Sequence, residues 1–116
     1  MRIGILFAAV LVSACATSQR PPVFAGSGEL VYPAEAKSQG IEGMVVVRYD
    51  VMADGRVANV AIVESRPTGV FDDAALDYVA SWRFNPATDQ GDPVAAPNRS
   101  SEIHFKLSER DPYEGY

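Results

Sequence analysis

One cysteine, one histidine and one tryptophan are all that this 116-residue chain carries of three residue types that often mark chemistry. With Cys15 alone no intramolecular disulfide can form, and a metal site at its thiol lacks further ligands. The lone His104 has no neighbours in sequence that would complete a triad and sits on the polar side of a strand pattern, as a solvent-facing residue does. There is no G-x-S-x-G, H-E-x-x-H, C-x-x-C or phosphate-binding glycine loop, so the commonest hydrolytic, redox and nucleotide chemistries have no motif to rest on. No cofactor or metal is expected, and the chain does not read as an enzyme.

Positive charge is scarce as well. Ten basic side chains face fifteen acidic ones, for a net charge of −5. Without the first fourteen residues, which include Arg2, nine face fifteen and the charge is −6. An acidic chain with no basic cluster repels phosphate backbones and anionic lipid surfaces, so nucleic acid is not an expected partner.

Long apolar runs are missing too: the longest, residues 3–12, has ten members and is too short to span a bilayer as a helix. Preceded by Arg2 and followed by Ser13, Ala14, Cys15 and Ala16, it reads as a secretory signal over residues 1–14, and the protein is expected to be exported. Two processing routes compete. Val12-Ser13-Ala14-Cys15 resembles the lipobox of bacterial lipoproteins, with Val12 where leucine is commonest, and would make Cys15 a lipidated first residue and membrane anchor. Ala14-Cys15-Ala16 also fits ordinary signal cleavage. The position at the end of the apolar run favours lipidation at Cys15.

Residues 15–29, with Pro21, Pro22, Gly26 and Gly28, have little to bury and read as a flexible tether. Fully extended, it reaches at most about 50 Å. Tyr32-Pro33 then opens a short helix over residues 34–39 that Gly40 stops. From Gly43 the period changes to two: Val45, Val47, Tyr49 and Val51 alternate with residues of mixed polarity, as a strand with one apolar face does. Asp54-Gly55 supplies a tight hairpin turn. A second strand over residues 57–65 pairs back, and its ambiguous inward face predicts a bulge near Ala58-Asn59.

The best-marked stretch begins at Phe71. Phe71, Ala75, Val79 and Trp82 fall on one helical face, which Leu76 and Tyr78 widen. Asp72 and Asp73 suit the positive helix start, Asp72 as a cap and Phe71 as a staple onto Leu76. With Asp77 they form a carboxylate cluster that capping and a solvated face explain without chemistry. Pro86 ends the helix before Asn85 and leaves residues 82–84 extended. Burying Phe71, Leu76, Val79 and Trp82 contributes roughly 1.5–3 kcal/mol each before ordering entropy is subtracted. Residues 87–98 read as a long loop. Ile103, Phe105 and Leu107 then alternate with Glu102, His104 and Lys106 in a third strand, and residues 109–116 form a loose acidic tail.

The order α-β-β-α-β implies an α+β two-layer sandwich over residues 30–108, a three-stranded antiparallel sheet with both helices on one face. A domain this small without staples would gain from homodimerisation.

Taken in order, Tyr32-Pro33, Gly40, Gly43, the Val45 to Val51 alternation, Asp54-Gly55, Phe71-Asp72-x-Ala74-Ala75-Leu76, Trp82-Arg83-Phe84-x-Pro86, Gly91-x-Pro93-Val94 and Ile103-x-Phe105-x-Leu107 resemble the C-terminal domain family of TonB. The resemblance spans residues 30–108. It implies a periplasmic binding module, not an enzyme, that takes the TonB box of an outer-membrane receptor as an added strand. The accepting edge would be Ser100, Ser101, Glu102, Ile103, His104, Phe105, Lys106 and Leu107. The inner-membrane helix and proline-rich span of a full TonB have no counterpart here. Ala16 after Cys15, where aspartate would signal retention, points to the outer membrane, so contact with the inner-membrane motor is not expected. The partner is then a TonB-dependent receptor or another envelope protein. The alternative is an envelope scaffold or homodimeric lipoprotein without a transport role.

Overall fold

Val45, Val47 and Val51 are fully buried and Tyr49 keeps only 3% of its exposure, and the fold is built on the strand that carries them. A computed structural model of the chain describes residues 18–107 together with Gly4. The rest of the expected leader, the lipidation site Cys15 and the acidic tail 109–116 lie outside the described residues.

In chain order the elements are β1 (Gln19–Arg20), β2 (Val23–Gly26), α1 (Ala34–Ser38), β3 (Gly43–Val51), β4 (Val57–Arg66), α2 (Asp72–Ala80), β5 (Arg83–Asn85), β6 (Ala87–Asp89), β7 (Asp92–Val94) and β8 (Ala96–Phe105). The principal sheet has the order β4-β3-β8, antiparallel throughout. Its inner face is covered by Ala36 of α1 and by Phe71, Ala75, Val79 and Trp82 in and around α2, which with Ile103 and Phe105 of β8 complete one core. The architecture is therefore α+β with two helices over a three-stranded antiparallel sheet. Among the described residues no helix is long and apolar enough to cross a membrane.

The turn chemistry follows the residues. Gly40 closes α1 at φ 67° and Gly55 closes the β3–β4 turn at φ 84°, conformations in which a side chain would be strained. Gly55 also lies against β5: its carbonyl accepts the Phe84 amide at 2.9 Å, and a Cβ would overlap the Phe84 carbonyl. Gly43 is required by space alone. A Cβ there would overlap the Arg66 carbonyl and stand 2.7 Å from the Phe71 ring. The bulge lies where the residue pattern predicts it: Asp50 faces Ala58 while Arg48 faces Ala61, and Asn59 takes φ 54°.

Several expectations change. The tether region contains β1, which pairs with β6, and β2, which pairs with β5, where Phe24 finds aromatic partners in Trp82 and Phe84 at 5.5 and 5.7 Å. The long loop 87–98 contains the β6–β7 hairpin. It turns at Gln90 and Gly91, both at positive φ as a tight two-residue connection demands. At α2, Phe71 itself occupies the cap position and Asp72 the first turn, with no side-chain cap bond. Phe71 stacks on Phe105 instead of closing on Leu76. Leu76 is only half-buried and lies outside the core, one position off the face that Ala75 and Val79 fill.

Candidate partner-binding edge

β8 has β3 on one side, in unbroken register from Gly43 opposite Phe105 to Tyr49 opposite Arg99. Among the described residues no strand lies on its other side. In an antiparallel ladder every second residue turns its amide and carbonyl away from the neighbour, so this rim presents a row of backbone groups that no other strand of the described residues pairs. Of the expected edge residues, Ser100, Ser101, Glu102, Ile103, His104 and Phe105 lie in β8, whereas Lys106 and Leu107 lie just past its end. The strand starts four residues earlier than expected, at Ala96.

The start of β8 is held by one carboxylate. Asp50 Oδ1 accepts the Asn98 amide at 2.9 Å, where β8 shifts register with Asn98 at φ 56°, and Oδ2 accepts Asn59 Nδ2 at 2.8 Å across the bulge of β4. These two bonds, the Asn98 amide first, hold the Asp50 carboxyl below its ordinary pKa. At the other end Phe105 is stacked on Phe71 and met edge-on by Tyr32. The Tyr32 hydroxyl donates to the Ile41 carbonyl, and burial followed by the charge of Glu42 raises its pKa. Of the expected motif residues, Phe71 and Trp82 lie in the core and Tyr32 and Phe84 pack against it; Gly40 and Gly55 take positive φ, Gly43 is closely approached by the Arg66 carbonyl and the Phe71 ring, Asp54 accepts the Arg56 amide, and Pro33 and Pro86 stand before α1 and between β5 and β6.

The two faces of β8 differ. Glu102 and His104 share the outer face, 3.4 Å apart and about half exposed. Arg99, Ser101, Ile103 and Phe105 share the face turned to α2, where Ser101 Oγ is hydrogen-bonded to the Tyr49 hydroxyl at 2.8 Å and Ile103 and Phe105 are buried. Along that face run two adjoining clefts. One, of about 450 Å³, lies among Leu30, Tyr78, Trp82, Ser101 and Ile103. The other, of about 370 Å³, adds Phe24, Tyr49 and Phe84. Trp82 is their common wall, with edge-on contacts to Tyr49, Tyr78 and Phe24 at 5.5 Å each.

Sequence reading places Trp82 in the core and does not single out the groove. The pair Tyr78 and Trp82, four apart on one helical face, is the signal that could have pointed to it. No group of three or more metal-ligating side chains comes together among the described residues.

Comparison with known proteins gives a consistent result. A family model described as Gram-negative bacterial TonB protein C-terminal matches residues 28–107. Protein TonB of Pseudomonas aeruginosa is 35% identical over 80 residues, 69% of this chain and 23% of that protein. Protein TonB of Yersinia enterocolitica is 37% identical over 76 residues, 66% of this chain and 27% of that protein. The chain thus spans about a quarter of the length of these relatives. The solution NMR structure of the Pseudomonas aeruginosa TonB CTD superposes with a TM-score of 0.61 at 28% identity, covering 77% of this chain and 89% of that one. A structure of the TonB2 protein from Vibrio anguillarum shares the fold, with a TM-score of 0.56 at 23% identity, covering 81% of this chain and 87% of that one.

Proposed function

This chain belongs to the family of TonB C-terminal domains, and on that premise we propose that it is a periplasm-facing interaction module of TonB-dependent transport. Its β8 rim takes an extended peptide, the TonB box of an outer-membrane receptor, as an added strand. The observation that carries this reading is the outer edge of β8, which no strand covers among the described residues, with an aromatic groove beside it. Backbone bonding along the rim would supply affinity, and the groove would receive alternate side chains. Glu102 and His104 on the outer face blunt the edge against self-association while leaving its backbone open. The work is binding, with no reaction catalysed and no cofactor held. Cys15 carries a lipid that keeps the module at the outer membrane.

Titration of the labelled protein with TonB-box peptides tests it. The expected result is a set of amide shifts concentrated in residues 99–105. Unmoved β8 signals at millimolar peptide, together with concentration-dependent dimerisation through the same strand, would instead support an envelope scaffold without a transport role.

A further inference from the structure

The chain has almost no slack between Cys15 and its first ordered contact. The Ser18 carbonyl accepts the Gln90 amide at 3.1 Å, and β1 follows at once, with Gln19 opposite Asp89 and Arg20 opposite Thr88. Only Ala16 and Thr17 separate Ser18 from Cys15, and three residue steps reach at most about 11 Å. Acyl chains on Cys15 are buried in hydrocarbon, which puts the residue itself at the level of the headgroups. Ser18, and the β6–β7 turn at Gln90 and Gly91 to which it is bonded, are then held beside the membrane surface.

The side chains at this end suit such a neighbour. Arg99 Nε is buried without a hydrogen-bond partner. Arg99 lines a cleft of about 480 Å³ with Arg20 and Asp89, between the start of β8 and the β1-β6-β7 sheet. Asp92 stands directly opposite Asp89 in the hairpin. The ion pairs among the described residues, Arg56–Asp54, Arg66–Glu64 and His104–Glu102, leave out all four. A guanidinium fork takes a phosphate in bidentate fashion, and two carboxylates opposed across a ladder repel until a cation relieves them. One headgroup that carries both a phosphate and an ammonium answers both needs. A net anionic surface does not, because the chain as a whole carries a charge of −5.

Given lipidation at Cys15, as read above, we infer that the β1-β6-β7 end is the membrane-facing surface of the module. It is seated on zwitterionic phospholipid headgroups, with the lipid phosphate at Arg99 and Arg20 and the ammonium at Asp89 and Asp92. The consequence is a fixed orientation in place of a domain swinging on a long tether. Phe105 lies six residues beyond Arg99 on β8, about 20 Å along the strand. Gly43 and Arg66 share that far end of the sheet and stand away from the bilayer.

The test uses the full mature protein, acylated at Cys15 and reconstituted in nanodiscs of phosphatidylethanolamine and phosphatidylcholine that carry a trace of gadolinium-chelate headgroup. Amide signals of Gln19, Arg20, Asp89, Gln90, Gly91 and Arg99 are expected to lose most of their intensity, while those of Gly43, Arg66 and Phe105 keep most of theirs. Equal loss at both ends, or loss centred on Gly43 and Phe105, overturns the orientation and leaves the anchor standing. Absence of the acyl mass on residue 15 overturns both. A chain lengthened by eight Gly and Ser residues after Thr17 gains at most about 28 Å of reach, so that docking there depends on the headgroup contacts alone. In it Arg99→Gln should lower the docked-to-free ratio about three- to fivefold, as loss of one partly exposed charge pair does. Replacing the zwitterionic lipids by phosphatidylglycerol should lower it as well. An unchanged ratio in both cases overturns the headgroup assignment. Inorganic phosphate alone, titrated without lipid, separates the sources: Arg99 shifts there, with no lipid-dependent loss at Arg99, would assign the cleft to a free anion and overturn it too. Arg20→Gln, at an exposed position of β1, gives the same reading if Arg99→Gln does not fold.

Discussion

The ring of Phe71, at the start of α2, lies nearly parallel to that of Phe105, at the end of β8, with centroids 4.3 Å apart and planes inclined by 18°. Both are fully buried. This contact joins the helix the sequence marks most clearly to the strand proposed to accept a partner, so the edge is presented by the core and not by a loop.

Removing that ring should therefore loosen the edge along with the core. Phe71→Ala is expected to cost about 3–5 kcal/mol, read as a lowered urea midpoint. Amide exchange should accelerate at Ile103 and Phe105 as well as in α2. A loss confined to α2 would show that the strand is held independently.

Gly43 has no room for a methyl group between the Arg66 carbonyl and the Phe71 ring. Gly43→Ala should destabilise by about 1–3 kcal/mol through overpacking, although alanine is otherwise the better tolerated residue in a strand. A thermal midpoint equal to that of the wild type would contradict the close approach.

Asp50 links acid sensitivity to the register shift. Its folded-state pKa is depressed by the Asn98 amide and the Asn59 side chain. The folded protein therefore resists protonation there more than the unfolded chain does. The stability this group contributes is complete above the unfolded value of about 3.9 and is lost as pH falls through the lower folded value. Urea midpoints measured from pH 6 to pH 2.5 should fall with acidification in the wild type, and part of that fall should be absent in Asp50→Asn. Identical slopes would show that Asp50 has no share in the acid sensitivity.

Phe24 covers the groove wall from a segment whose composition reads as a tether. Since Trp82 is the only tryptophan and Phe24 meets it edge-on at 5.5 Å while itself half exposed, Phe24→Ala should shift the tryptophan emission to the red and cost about 0.5–1.5 kcal/mol beyond the area lost. An unchanged spectrum would mean that β2 does not cover Trp82 in solution.

What is legible in the sequence is local. The alternation from Val45 to Val51 names the buried face of β3, Asp54-Gly55 names the turn, and the uncertain facing of residues 57–63 points to the bulge at Asn59. What stays hidden depends on partners far along the chain. Val23 and Phe24 look like linker residues until Asn85 and Phe84 pair with them some sixty residues later. Gln90-Gly91 carries a hairpin signal, but its strands are three residues each and too short to show a period. A helical wheel admits Leu76 to the core, whereas α2 fills the core with Ala75 and Val79 and packs Ala74 and Tyr78 against it, leaving Leu76 off that face.

The binding proposal depends above all on the outer rim of β8 being a free strand edge that a partner completes. Hydrogen–deuterium exchange of individual amides, with and without a saturating receptor-derived peptide, tests it most directly. A free edge predicts that amides at alternate residues between Arg99 and Phe105 exchange rapidly in the unbound protein and become protected on binding, while their neighbours, already bonded to β3, change little. Protection of both sets before peptide is added, or binding that leaves the alternate set exposed, would contradict it.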